Sequence, residues 1–339
     1  MLISKDTLDL FAEIIKSGRS RVNRSTVFRP IALLVLVSIA IGLLSSGCAT
    51  EPAQSTGDGS TKPLTVAVGI VPLASFVTAV GGEQVKVVTM IPPGNSPANY
   101  QPSNIEMQAL SDASLYLSLQ TPTEKANILP KLTDFNQDIK LVDLQQAVGE
   151  AYPLRPVSQS IQLGDPGTTK TQPAGTDQTI DHHVWLSPKR AIVIIERIAA
   201  ELAALDSTHA PDFQANAKAY IAKLQALDES IRDSFAELKS RDFLIYHGSY
   251  TYFAEDYELN MISIELAGKE ATASELKAII DYARSNSIRV VFYQAEFDDT
   301  QARIVAQEIA GTTAKVEPLS GDYLAAMEAI AQTLVQANG

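Results

Sequence analysis

The sequence predicts an α/β protein made of two parallel-sheet α/β lobes bridged by one long helix, with a cleft between the lobes. Three observations predict it. Apolar β-type runs alternate with helical segments from residue 64, the same alternation returns after residue 240, and the stretch between carries one unbroken helical periodicity. Strands separated by helices imply parallel pairing through right-handed crossovers. The length of 339 residues agrees, because a single hydrophobic core rarely serves more than about 250–300 residues.

In the N-terminal lobe, placed at 63–205, strands are expected over 64–70, 84–90, 114–119 and 139–143, with helices over 73–80, 103–111 and 124–132. Ser103 followed by Glu106 has the form of a capping box. Residues 152–179 carry no periodicity and are rich in Pro, Gly, Thr, Gln and Ser, so a long mobile insertion is expected there. A helix over 188–205 follows. Phe213, Ala217, Tyr220, Leu224, Leu227, Ile231, Phe235 and Leu238 then recur at spacings of three and four, which predicts one helix over 212–239, about 42 Å long and able to run along both lobes. The C-terminal lobe, 240–339, is expected to hold strands over 242–247, 260–265, 288–293 and 313–317. Its helices are expected over 250–257, 273–286, 300–310 and 323–336, the second opened by a capping box at Thr272 and Glu275.

The first 62 residues are of another kind. An apolar run of 14 residues, 31–44, is short for a membrane-spanning helix and follows Lys16, Arg19, Arg21, Arg24 and Arg29. It stops at Ser45, Ser46, Gly47 and Cys48, which resembles a bacterial lipobox, so 1–47 is expected to be a lipoprotein signal peptide and Cys48 the acylated residue. Residues 48–62, without a large apolar side chain, are expected to be a flexible tether. Removing 1–47 takes away six basic and three acidic residues and shifts the formal charge from −12 to −15. Such a chain is a poor nucleic-acid binder. One cysteine excludes an intrachain disulfide, a Cys-rich zinc module and an iron–sulfur cluster.

Chemistry is sparse and localised. Of four histidines, His182 and His183 follow the insertion and His247 ends an expected strand, as does Glu317. In open parallel sheets, ligands gather at the carboxyl ends of strands. Imidazoles with a carboxylate suit Zn(II), Mn(II) or Fe(II). Because His182 and His183 are adjacent, their side chains are expected to diverge, with at most one pointing inward; His209, beside Asp212, is expected to be solvated.

The surrounding residues narrow this further. Asp181-His182-His183-Val184-Trp185-Leu186-Ser187-Pro188, Tyr246-His247-Gly248-Ser249, Val290 to Phe297, and Val316-Glu317-Pro318-Leu319 occur in one order and spacing. From residue 63 onward the chain resembles the zinc- and manganese-binding solute-binding lipoproteins of bacterial ABC importers. The resemblance implies two α/β lobes joined by a rigid helix, a metal cleft between the lobes, and little closure on binding. It implies as ligands His183, in an Asp-Pro-His-x-Trp motif with His182 in place of the proline, then His247 and the acid Glu317. The family's first histidine falls on Ala98, so His182, Asn99 or an oxygen from the insertion is a candidate for the fourth position. The insertion lacks the histidines many zinc members carry there. Gln294 stands where zinc members place a Glu, and Gln294, Glu296 and Trp185 are expected to support the ligands.

The implied function is the extracytoplasmic, lipid-anchored receptor of an ABC importer that captures zinc and delivers it to a permease and its ATPase, as a monomer and without catalysis. Manganese or iron(II), or another solute in a degenerate relative, is the alternative. A secreted metallohydrolase with Glu296 as general base is a third reading. Against it, the chain has no His-Glu-x-x-His helix and no Gly-x-Ser-x-Gly elbow, and its clustered acids are limited to Glu296, Asp298 and Asp299.

Overall fold

The structure, a computed structural model, describes residues 63–157, 179–265 and 269–339. The expected signal segment, Cys48 and the tether lie outside the described residues, as does most of the expected insertion. The ends of that insertion are tied together: Pro156 and Ile180 form an antiparallel bridge, and Val157 N–H donates to Thr179 O at 2.8 Å. Among the described residues, no helix is long and apolar enough to cross a membrane.

Strands β1 (Leu64–Val68), β2 (Val85–Thr89), β3 (Leu115–Ser118) and β4 (Lys140–Asp143) form a parallel sheet in the order β2-β1-β3-β4. Strands β5 (Asp242–Ile245), β6 (Asn260–Ser263), β7 (Val290–Gln294) and β8 (Thr312–Val316) repeat the plan in the order β6-β5-β7-β8. Each lies within two residues of its expected bounds. Central strands are covered on both faces, so Thr65, Val66, Ala67 and Val68 are all buried in β1, as a parallel sheet requires. In both sheets the strand order reverses beside the first strand, which places a crevice at the carboxyl ends of β1 and β3 and of β5 and β7.

Ten helices are described: α1 (Val71–Gly81), α2 (Asn104–Gln108), α3 (Leu132–Phe135), α4 (Leu144–Ala151), α5 (Pro188–Leu205), α6 (Ala210–Ser234), α7 (Thr251–Asp256), α8 (Ala273–Ser285), α9 (Thr300–Glu308) and α10 (Tyr323–Asn338). Both capping boxes form, at Ser103 with Glu106 and at Thr272 with Glu275. Two expectations fail. Helix α4 was not expected, although Asp143 caps it by accepting Gln146 N–H at 2.9 Å. The helix expected over 124–132 breaks into a wide turn, a tight turn and α3, because Pro130 has no N–H to donate; at its start Glu124 accepts the N–H groups of Leu119 and Thr121.

The long helix α6 ends at Ser234, earlier than expected. Beyond it the chain tightens into turns, with Ala236 N–H bonded to Asp233 O, and Lys239 N–H is captured by Asn338 O at the end of α10. Its 25 residues still span about 37 Å. Near its N-terminus Asn216 donates to Val80 O and Tyr220 packs edge-on against Phe76, both on α1. At its far end Asp228 accepts the Tyr257 hydroxyl at 2.8 Å, and Phe235 meets Phe253 and Tyr257. The helix is therefore fastened to both lobes.

A second fastening lies beside the cleft. Arg190, on α5 of the first lobe and fully buried, donates through Nε to Asp256 Oδ2 at 3.0 Å on α7 of the second. Its guanidinium lies 4.5 Å from the centre of the Tyr252 ring. Ser187 Oγ donates to the same Asp256 oxygen at 2.6 Å. Replacing Arg190 by Ala leaves the Asp256 carboxylate buried without its main partner, and this is expected to cost about 3–5 kcal/mol in denaturant unfolding, whereas an exposed pair such as Lys277–Asp281 is worth under about 1 kcal/mol.

Candidate metal centre

Two histidines from different lobes meet across the cleft. His183 precedes the single turn Val184–Leu186 that leads into α5, and His247 follows β5; their ring centres lie 5.2 Å apart, edge to face. Each is held from behind by a carboxylate. His183 Nδ1–H donates to Asp181 Oδ1 at 2.7 Å, and the same oxygen accepts His183 backbone N–H at 2.9 Å. His247 Nδ1–H donates to Glu265 Oε2 at 2.9 Å. With Nδ1 occupied in this way, Nε2 of each ring carries the lone pair, the arrangement a metal-ligating histidine needs.

The supporting carboxylates have different origins. Asp181 is local, two residues before His183, and its carbonyl is fixed by Tyr252 Oη at 2.8 Å and Gln145 Nε2 at 3.0 Å. Glu265 comes from sheet register: Ile245 pairs with Ser263, so two residues further along each strand His247 and Glu265 stand side by side. Neither was singled out from the sequence for this role. The aspartate was legible within its motif; the glutamate had no signal short of the strand pairing.

Gln294 ends β7 and is fully buried under the His247 turn. Its Nε2 donates to His247 O at 2.6 Å and to Ser249 Oγ at 3.0 Å, while its Oε1 accepts His247 N–H at 3.2 Å. A carboxylate here would face the His247 carbonyl with no proton to offer, so an amide suits this turn. Trp185 closes the base of the cleft: its Nε1–H donates to Pro318 O at 3.0 Å, and its own carbonyl accepts the Tyr323 hydroxyl at 2.8 Å.

His182 departs from expectation. Both adjacent histidines line the cleft, with ring centres 4.0 Å apart and planes tilted by 34°. Side chains alternate only along an extended backbone, and His183, with φ −78° and ψ 33°, is not extended. His182 Nε2 is buried without a hydrogen-bond partner among the described residues. Burial pushes its imidazolium far below the usual histidine range, with His183 and His247 adding repulsion. Burial lowers His183 as well, against the opposing pull of Asp181. The rings are therefore neutral and able to donate. His209 bonds Asp206 at the start of α6, away from the cleft.

The acids also differ from expectation. Glu317 does not line the cleft: β8 ends with Val316 facing inward, so the next side chain faces out, where its exposed carboxylate pairs with Lys315 at 2.7 Å. Pro318 and Leu319 line the cleft instead. The carboxylate at the cleft belongs to Glu296, just beyond β7, whose Oε2 is buried without a partner among the described residues. Burial raises its pKa. Asn99 is exposed and stands off the cleft, while Ala98 reaches it with a methyl group.

Known proteins resemble this chain over most of its described length. The profile of the family described as zinc-uptake complex component A, periplasmic, matches residues 66–337. The zinc-binding lipoprotein AdcA of Streptococcus pneumoniae is 29% identical over 268 residues, 78% of this chain and 51% of AdcA, so the chain spans about half the length of that relative. The high-affinity zinc uptake system protein ZnuA of Bacillus subtilis is 24% identical, over 85% of this chain and 88% of its own. A crystal structure of ZnuA superposes with a TM-score of 0.73 at 31% identity, covering 82% of this chain and all of that one. A zinc-bound ZnuA deletion mutant gives 0.71 at the same identity, covering 82% of this chain and 98% of its own. With two parallel-sheet lobes, a bridging helix and paired histidines facing across the cleft, the chain belongs to the family of the periplasmic component A of zinc-uptake complexes.

Proposed function

We propose that this chain is the metal-capturing receptor of an ABC importer, taking zinc outside the cytoplasmic membrane and passing it to a permease driven by an ATPase. The observation that carries the reading is the pair His183 and His247, one from each lobe, each with Nδ1 bonded to a buried carboxylate and Nε2 left to bind. Imidazole donors favour zinc over manganese, which prefers oxygen. The zinc-binding names of AdcA and ZnuA support the same cargo. The reading is of a receptor without catalysis, since Glu296 sits among neutral imidazoles as one more donor to a cation. Anchoring through Cys48 fits the lipoprotein name of AdcA, and intact mass measurement of the native protein is expected to find a diacylglyceryl group there. A chain still beginning at Met1 would contradict it.

Because the donors come from both lobes, zinc binds the folded chain and not the unfolded one. At a hundredfold excess of free zinc over Kd, stability is expected to rise by about 2.7 kcal/mol. Calorimetric melting with and without zinc checks this. His183→Ala and His247→Ala are each expected to remove most of the shift, and a full shift in both variants places the site elsewhere. A larger shift with manganese or iron(II) than with zinc would reassign the cargo.

The metal-free protein has its own pH signature. His182 and His183 have depressed values when folded, so as pH falls through about 6.5 the unfolded chain takes up protons that the buried rings refuse. Stability is lost in that direction, until pH falls below the depressed folded values. Glu296, raised by burial, acts with the opposite sign, but it is common to wild type and His182→Gln and drops out of their difference. Wild type is therefore expected to lose stability relative to His182→Gln between pH 7 and pH 5 in urea unfolding. A difference that stays flat over that range refutes the assignment.

A further inference from the structure

We propose that His182 and Glu296 complete the metal centre, so that zinc is held by His182, His183, His247 and Glu296, two ligands from each lobe. This rests on the receptor reading above; it selects His182 from the candidates for the fourth position and puts Glu296 in the place of Glu317. The resemblance left the first position on Ala98 and the acid on Glu317.

Two buried atoms carry the inference. His182 Nε2 and Glu296 Oε2 both belong to residues lining the cleft, and neither has a hydrogen-bond partner among the described residues. A buried polar atom left unpaired costs about 1–3 kcal/mol, so two at one site mark a place built for a ligand. Asp181, His182 and His183 form a cluster in which one possible donor atom from each lies within 4.8 Å of the others, so a small side-chain rotation brings two imidazole nitrogens onto one ion at Zn–N distances of about 2.0–2.1 Å. The chain is not extended at His183, and the neighbouring rings lie 4.0 Å apart at one cleft. Glu296 follows β7 at the switch point of the second sheet and reaches the same cleft. Glu317 is engaged with Lys315 outside.

The set is chemically closed. Three neutral imidazoles and one carboxylate fill a tetrahedral zinc site, and the single negative charge leaves the occupied centre at +1. Asp181 and Glu265 behind the rings then compensate that charge without touching the ion. A histidine beside the second ligand thus takes over from the donor that Ala98 lacks.

The test is a zinc competition titration against a chromophoric chelator, using the full chain without its signal segment. His182→Gln and Glu296→Gln, both close in size to the originals, are expected to weaken zinc at least about tenfold each. Glu317→Gln and Asn99→Ala are expected to stay within about twofold of wild type. Ala98→His is expected to gain nothing, because its position is already served. Cobalt(II) absorption provides a geometric readout: wild type should give the intense visible bands of a four-coordinate ion, and His182→Gln should lose them. Melting of the metal-free variants verifies that each is folded. Unchanged affinity in His182→Gln or Glu296→Gln, a tenfold loss in Glu317→Gln, or a tenfold gain in Ala98→His overturns the assignment. If wild type binds no zinc, the receptor reading fails. If His183→Ala abolishes binding while His182→Gln and Glu296→Gln retain it, the receptor reading stands and this ligand set alone falls.

Discussion

The separation of the two lobes is the constraint on which the centre depends. His183 and His247 belong to different lobes, yet their rings stand 5.2 Å apart across the cleft, and the proposed centre needs that separation kept. Two devices fix that distance. Helix α6 is fastened to α1 near one end and to α7 at the other, and the buried Arg190–Asp256 pair joins α5 to α7 close to the cleft. A buried ion pair contributes little net stability compared with an apolar contact of the same volume, but it fixes geometry, since it is strong only when its atoms are in register. Ser187 ties that register to the site, because it caps α5 and donates to Asp256 a few residues after His183. Trp185 and Tyr323 add a third tie at the base of the cleft.

Within this frame the site is a problem of orientation before it is one of charge. An imidazole presents either nitrogen, and here a carboxylate behind each of His183 and His247 selects Nε2 for the cleft. Burial keeps His182 and His183 neutral, so protons compete weakly with a metal near neutral pH. Gln294 holds the His247 turn from both its donor and its acceptor end, which a carboxylate could not do. Preorganisation of this kind reduces the ordering cost when an ion arrives.

The acidic surface and the buried centre act on different scales. A formal charge of −12 gives the chain a field that favours cations in general, without selecting among them. Selection lies in the donors, and a nitrogen-rich set disfavours magnesium, calcium and manganese. The Lys315–Glu317 pair near the cleft illustrates the division: an exposed carboxylate already satisfied by an ammonium adds nothing to the donor set.

The eight strands, the parallel pairing they require, the long bridging helix and both capping boxes are legible in the sequence, because each is written in local periodicity or in a compact motif; His183, His247 and Trp185 are likewise legible as candidates from their motifs. The sequence failed where the deciding contact is distant in the chain or set by local backbone conformation. Glu265 reaches His247 only through strand register, across 18 residues. Glu317 reads as a ligand at a strand end, but alternation along β8 turns it outward, while Glu296 reads as a supporting acid and occupies the cleft. The expected divergence of His182 and His183 assumed an extended backbone, whereas the chain is not extended at His183 and both rings line the cleft. The helix expected over 124–132 gave way at Pro130, which has no N–H for an intrahelical bond. Periodicity records which face of an element is buried; which side chains then converge depends on register and on backbone angles at the ends of elements, and those are settled only when the lobes are packed together.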